Sequence, residues 1–142
     1  MSTLQRLTDR GLVKPPRWLP GNVQYETIMG SVAYGVSSDS SDLDVYGWAI
    51  PMREDVFPHL RGEIAGFGTP RPRFQQFQEH HVFDPDALAG HGRTYDLTIF
   101  SIVKFFRLAM ENNPNVIDCL FTPATCVLHS TRVGNLVREH RR

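Results

Sequence analysis

Two aspartates separated by one residue, Asp42 and Asp44, follow a glycine–serine pair at Gly30 and Ser31. In a β-strand, residues i and i+2 point to the same side, about 6.6 Å apart along the backbone. Two carboxylates this close raise each other's pKa unless a cation lies between them. Mg²⁺ suits that place, because it binds hard oxygen ligands and usually takes one or two carboxylates together with substrate phosphates. A glycine–serine pair lets the backbone approach a phosphate, so the spacing indicates chemistry on a nucleoside triphosphate.

Each of these residues also has a structural interpretation. An Asp-x-Asp pair on its own is more typical of a turn or an exposed strand than of a metal site. The glycine–serine pair also fits a helix cap that Gly35 closes. The presence of Gly30-Ser31 upstream of both carboxylates favours the catalytic interpretation.

The elements around this stretch follow from its alternation and its turn residues. Val23–Met29 and Leu43–Ile50 are rich in β-formers and predict two strands, the second of which ends at Pro51. Leu43 then lies on the face opposite Asp44. Between the strands, residues 32–35 predict a first helical turn, and residues 37–41, which include Asp39, have the composition of a turn.

Residues 51–93 are rich in proline and glycine and give the weakest pattern of the chain. A structureless stretch of this length is unusual in a compact domain, so we expect a strand or hairpin near Phe74–Phe83. His80, His81 and His91 have no cysteine or carboxylate spacing that supports a metal site, and we interpret them as loop histidines.

The second half of the chain is predicted to be mainly helical. Tyr95–Leu97 is a short strand candidate, and apolar residues at i, i+3, i+4 and i+7 from Thr98 predict an amphipathic helix that ends at Asn113-Pro114. Three further helices are predicted, over Leu4–Leu12, over Asn115–Phe121, and after an N-cap at Ser130. The last pattern stops abruptly at Arg142, which suggests an incomplete product, and we expect residues 1–142 to form a single domain.

Composition bounds the class of protein. The chain has 142 residues, 41% of them apolar, which suits one domain with a genuine core. Fifteen basic and fifteen acidic residues balance, so no global charge attracts nucleic acid. No segment approaches the ~20 apolar residues of a membrane helix, so we expect a cytoplasmic protein without a membrane partner. The two cysteines, Cys119 and Cys126, are expected to be reduced thiols.

The strings Met29–Gly35 and Ser41–Gly47 together resemble the DNA polymerase β-type nucleotidyltransferase superfamily. Within it, the chain is most similar to the predicted nucleotidyltransferases of bacteria and phages. Lys104–Ala109 and Asn113–Asp118 are also typical of that group, and the likeness covers roughly residues 18–128.

The resemblance implies an α+β fold, a small mixed β-sheet flanked by helices, and metal-dependent nucleotidyl transfer from a nucleoside triphosphate such as ATP. Members of the family continue into a further helical half, so the resemblance also implies that residues 1–142 lack a C-terminal helical part. It places Gly30 and Ser31 against the β- and γ-phosphates, and Asp42 and Asp44 on magnesium. Asp96 is the best match for a third acid on a neighbouring strand, although an aspartate there also fits a helix N-cap.

Such transfer uses two divalent ions about 3.5–4 Å apart, so two Mg²⁺ ions are expected, with Mn²⁺ as a substitute. The acceptor stays open among RNA, DNA, a protein side chain and a small molecule. A catalytically silent domain of the same fold, which binds nucleotide or a partner, is the first alternative, and a structural or interaction protein whose acids are incidental is the second.

Overall fold

The computed structural model describes residues 1–30 and 42–142 of the chain. Within these ranges the strands form one five-stranded sheet in the order β3-β4-β2-β1-β5. The strands are β1 (Val23–Met29), β2 (Asp42–Ala49), β3 (Gln76–Asp84), β4 (Arg93–Ser101) and β5 (Val127–Ser130). β2 and β4 run parallel and the other neighbours run antiparallel, so the sheet is mixed, as predicted. The helical turn expected at 32–35 and the turn expected at 37–41 lie outside the described residues.

Helices cover both faces of this sheet, which confirms the α+β class. They are α1 (Thr3–Asp9), α2 (Leu19–Asn22), α3 (Arg53–Val56), α4 (Ile102–Met110), α5 (Pro114–Phe121) and α6 (Arg132–Glu139), with 3₁₀ turns at Pro58–Arg61 and Ala124–Cys126. In the two ranges that the structure covers, no helix is long and apolar enough to cross a membrane.

Alternation along the strands divides the core into two layers. Leu43, Val45 and Leu97 pack toward α1 and α2 on one side of the sheet, because their positions share one face of β2 and β4. Trp48 and Phe100 face the other side, where they pack against α4 and α5. The even-numbered residues of β2, which include both aspartates of the motif, therefore belong to the α4–α5 side.

The predicted helix from Thr98 starts too early. Thr98–Ser101 belong to β4, and α4 begins at Ile102, where the Ser101 hydroxyl accepts the N–H of Lys104 at 3.1 Å. The error has a physical cause: this part of β4 is buried on both faces and so lacks the alternation of a half-buried strand, and Ile99 falls on the helical spacing of the apolar residues that follow it.

The cap predicted at Ser130 is also one residue early. Ser130 is the last residue of β5, and the Thr131 side chain accepts the N–H of Gly134 at 3.2 Å to begin α6. The strand expected near Phe74–Phe83 is confirmed as β3. The helix predicted over Asn115–Phe121 is α5, which begins at Pro114 with Asn113 as its N-cap.

A buried carboxylate joins the first helix to the sheet. Glu26 on β1 accepts the N–H of Thr3 at 2.7 Å and the N–H of Leu4 at 3.1 Å, and so satisfies two amides at the N-terminus of α1. Burial raises the pKa of Glu26, and the hydrogen bonds from these two backbone N–H groups oppose the rise. The N-terminal helix is thus bonded directly to the central part of the sheet.

The two cysteines are both buried thiols, which agrees with the expectation of reduced cysteines. Burial raises the pKa of Cys119 to about 12. A thiol with that pKa is almost wholly protonated at neutral pH, and Cys119 is therefore a packing residue of α5 rather than a nucleophile.

Candidate active site

The two aspartates of the motif lie at the start of β2 and are exposed, whereas Leu43 and Val45 on either side of Asp44 are buried. This alternation places Asp42 and Asp44 on the same face of the sheet, toward the side that carries α4 and α5. Further along that face, the side chains of Tyr46 and Trp48 enter the core. The carboxylates therefore lie at the open end of a face that is otherwise covered.

Asp96 lies directly beside Asp44. β2 and β4 run parallel in a register that pairs Asp44 with Asp96, and Asp42 with Thr94. Residues paired across neighbouring strands point to the same face, so the carboxylates of Asp44 and Asp96 are neighbours. The capping interpretation of Asp96 is wrong, because Ser101 caps α4 and Asp96 lies in the interior of β4.

Charge in this cluster acts most strongly on Asp44. Although Asp44 is an exposed residue, its carboxyl group is partly shielded from water, and this desolvation raises its pKa. The charge of Asp96 together with a hydrogen bond between the two carboxyl groups raises it further. Asp42 adds to the rise, and His80 opposes it. Burial and the charge of Asp44 also raise the pKa of Tyr46. The face thus concentrates negative charge that a bound cation would relieve.

The edge strand β3 contributes two histidines that the sequence does not identify. Glu79 pairs with Leu97 and Val82 pairs with Tyr95, so His80 and His81 together lie opposite Asp96. Two residues opposite one define a β-bulge. The interpretation of His80 and His81 as loop histidines is wrong, because both belong to β3.

The bulge brings two nitrogen atoms to one oxygen of Asp96. The backbone N–H of His81 donates to Asp96 Oδ1 at 2.8 Å, and Nδ1 of His80 lies 3.8 Å from the same oxygen. His81 has a φ of +56°, which few residues other than glycine adopt. Side-chain periodicity carries no signal for such a bulge, because its essential group is a backbone amide.

Gly30 is the residue directly after β1 and lies next to the carboxylates. Met29 pairs with Asp44, and Gly30 follows with a φ of +80°. A Cβ on Gly30 would lie 3.4 Å from Asp44 Oδ2, so a side chain at this position would reach the carboxylate. Ser31, the other residue predicted to bind nucleotide, lies outside the described residues.

The carboxylates of this site supply some, but not all, of the ligands that a hard divalent cation needs. Within residues 1–30 and 42–142, no three carboxylate, imidazole or thiol groups are placed so that they could hold a metal ion by themselves. The adjacent carboxylates of Asp44 and Asp96, with Asp42 two positions before Asp44, supply oxygen ligands of the kind that Mg²⁺ takes. Because Mg²⁺ commonly completes its shell with substrate phosphates and water, this set fits a cation that binds together with a nucleotide.

A mixed sheet that places an Asp-x-Asp pair beside a third aspartate on the neighbouring strand is the arrangement expected of a DNA polymerase β-type nucleotidyltransferase. Comparison with protein families agrees with that class: the RNA repair pathway DNA polymerase beta family, RlaP, matches residues 2–142. The chain belongs to this family. No curated protein and no solved structure matches the chain. A function of the nucleotidyltransferase type is therefore supported in general.

Proposed function

We propose that the chain is a magnesium-dependent nucleotidyltransferase that transfers a nucleoside monophosphate from a nucleoside triphosphate to an acceptor hydroxyl. The observation that carries the proposal is the register that puts Asp44 and Asp96 side by side at the open end of the sheet. The description of the family as part of an RNA repair pathway favours RNA as the acceptor over DNA, a protein side chain or a small molecule.

In the reaction, the oxygen of the acceptor hydroxyl bonds to the α-phosphorus, and the bond from that phosphorus to the bridging oxygen of the β-phosphate breaks. Pyrophosphate leaves, and the hydroxyl proton passes to a carboxylate oxygen of Asp96 or to water. Two bound Mg²⁺ ions would neutralise charge on the triphosphate and on the attacking oxygen.

The aspartates would bind the metal ions, and the glycine–serine pair would bind the triphosphate. Asp42 and Asp44 on β2 and Asp96 on β4 would hold the two ions, and Mn²⁺ would substitute for Mg²⁺. Gly30, close to Asp44 Oδ2, allows the backbone to approach the β- and γ-phosphates without a side chain in the way. Ser31, next in the sequence, would donate its amide and hydroxyl to the same phosphates. Positioning and charge stabilisation then supply most of the rate.

The test is transfer of α-labelled nucleotide to a short RNA by the parent and by Asp44→Asn, with Mg²⁺ or Mn²⁺ present. Removal of one charged ligand without a change of volume is expected to lower the rate about a hundredfold or more, equivalent to about 2.7 kcal/mol of transition-state stabilisation. Asp118→Asn, which changes an exposed acid on α5, is the matched control and is expected to transfer like the parent. Equal transfer by Asp44→Asn would contradict the metal role.

The second candidate is a catalytically silent domain that binds nucleotide. It is favoured by one observation: in the described part of the chain, no three ligating groups are placed to hold a cation unaided. Titration calorimetry with ATP and Mg²⁺, followed by the same transfer assay, separates the two candidates. Heat of binding without transfer to RNA, DNA, protein or small-molecule hydroxyls would support the silent domain.

A further inference from the structure

The bulge in β3 supplies a backbone amide to a side chain of the candidate site. In a regular antiparallel ladder, the N–H groups of β3 either bond to the backbone of β4 or point away from it. The extra residue at His80-His81 interrupts that pattern, and the N–H of His81 bonds instead to Asp96 Oδ1 at 2.8 Å. A hydrogen bond from a backbone N–H to a charged carboxylate is among the stronger hydrogen bonds of a protein.

This contact depends on an unusual backbone conformation. His81 adopts a φ of +56° in the middle of a nine-residue strand, where extended geometry is the rule. Left-handed conformations of residues other than glycine are unfavourable and persist where the surrounding structure fixes them. Here the strand pairs on both sides of the bulge fix it, through Glu79 with Leu97 and through Val82 with Tyr95.

The geometry also limits how the carboxylate of Asp96 can turn. The His81 amide and the His80 ring both lie on the side of Oδ1, while Asp44 lies across the strand pair on β2. A carboxylate held at one oxygen by a fixed donor presents its other oxygen in one direction only. Metal ligands are commonly oriented by hydrogen bonds of this kind from groups that do not touch the metal.

We propose that the β3 bulge is a positioning device for Asp96, in which the backbone amide of His81 sets the orientation of the carboxylate that receives the divalent cation. The proposal rests on the proposed function. His81 acts through Asp96 and is therefore a positioning residue. Its side chain is not the working part, so the requirement at position 81 is for a residue that tolerates a positive φ and keeps an N–H.

Two substitutions at position 81 separate the backbone from the side chain. His81→Gly keeps the N–H and adopts a positive φ at little cost, whereas His81→Val strongly disfavours that conformation because valine is β-branched. Ala89→Val is the matched control. Ala89 also has a positive φ, +57°, but it is exposed in the turn between β3 and β4, so the control imposes similar strain away from Asp96.

The first measurement is binding of Mn²⁺ to the protein in the presence of a non-hydrolysable triphosphate, followed by electron paramagnetic resonance. In His81→Val the hydrogen bond from the backbone N–H of residue 81 to the charged Asp96 carboxylate is expected to be lost. This loss is expected to weaken Mn²⁺ binding about tenfold to a hundredfold. His81→Gly and Ala89→Val are expected to bind Mn²⁺ like the parent. The same affinity for the parent and His81→Val, or an equal loss in Ala89→Val, would overturn the proposal.

The second measurement is transfer kinetics together with thermal unfolding of the same proteins. Misorientation of Asp96 is expected to lower kcat of His81→Val more than it raises KM for the triphosphate, whereas Ala89→Val loses stability without that split. If Asp44→Asn abolishes transfer while His81→Val retains the parent kcat, the positioning role is wrong and the proposed function stands. If Asp44→Asn transfers like the parent, the proposed function fails and the inference fails with it.

A third measurement serves if His81→Val does not fold. In a ¹⁵N-labelled parent, the amide proton of His81 is expected to resonate downfield, because it bonds to a carboxylate. In Asp96→Ala that resonance is expected to move upfield by far more than the amide resonance of Ala89. An unchanged His81 resonance would overturn the contact on which the proposal rests.

Discussion

Gly47 on β2 lies against the backbone of β1, and Gly47→Ala is expected to destabilise the protein severely. A Cβ at this position would lie 2.2 Å from the carbonyl oxygen of Tyr25, and 3.1 Å from both Glu26 Cγ and Ile99 Cδ1. Ordinary contact begins at 3.4 Å, so the backbone of β1 would have to move by about 1.2 Å. The obstacle is backbone rather than the end of a flexible side chain, so local rotation does not relieve it.

The magnitude follows from what that movement disturbs. Overpacking of a well-packed interior costs about 1–3 kcal/mol, and a ladder bond weakened by the separation of β1 and β2 adds about 0.5–1.5 kcal/mol. A total loss of about 1.5–4.5 kcal/mol is expected, which is a large fraction of the stability of a domain of this size. In a thermal scan it corresponds to a decrease in Tm of about 5–15 °C.

The assay is urea denaturation followed by circular dichroism, with Gly21→Ala as the control. Gly21 lies in α2 with nothing within 4 Å of an added Cβ, so its substitution is expected to be neutral or stabilising by up to about 1 kcal/mol. Because β2 carries Asp44 three positions before Gly47, nucleotide transfer by Gly47→Ala is also expected to fall. A midpoint for Gly47→Ala within error of the parent would refute the argument from close packing.

Three further predictions concern a helix contact and two carboxylates. Gly134→Ala is expected to lower the free energy of unfolding in urea by about 1–3 kcal/mol, because its Cβ would lie 2.4 Å from the Gln24 carbonyl oxygen on β1. Unfolding like that of the parent would show that α6 shifts to make room for the methyl group. Burial opposes ionisation of Asp84, yet its hydrogen bond from Arg10 holds the pKa below the ordinary value. Asp84→Asn should therefore be less stable than the parent at pH 7, with a difference that shrinks as the pH falls below about 4; a difference independent of pH would contradict this. Since folding raises the pKa of Asp44, the metal-free parent should gain stability relative to Asp44→Asn as the pH falls through the carboxyl range, and chemical unfolding across that range tests the sign.

The parts of the fold that were predictable are those with a clean period. β1 and β2 were predictable because β-formers and alternation mark them, and Asp44 stands out as a polar residue between the buried Leu43 and Val45. The end of β4 was not predictable in the same way. Ile99 falls on the helical spacing of the apolar residues of α4, and only the cap at Ser101 separates strand from helix.

The candidate site divides along the same line. Side-chain types and spacing lead to Asp42, Asp44 and Asp96, because carboxylates on neighbouring strands have a chemical signature in the sequence. The contribution of His81 has none, since it consists of an amide, a bulge and a positive φ. The buried Glu26 is similar: its role at the N-terminus of α1 is set by a packing arrangement that spans more than twenty residues.

The parallel pairing of β2 with β4 has a consequence for the order of folding. Asp44 and Asp96 are about fifty residues apart in the chain, and parallel neighbours require a crossover connection, so β1 and β2 can join as a hairpin well before β4 arrives. A partly folded chain that contains only that hairpin has the carboxylates of β2 in place but not the carboxylate of β4. Affinity for a divalent ion would then emerge late, as a property of the finished sheet, and its appearance during refolding would mark the moment at which the crossover closes.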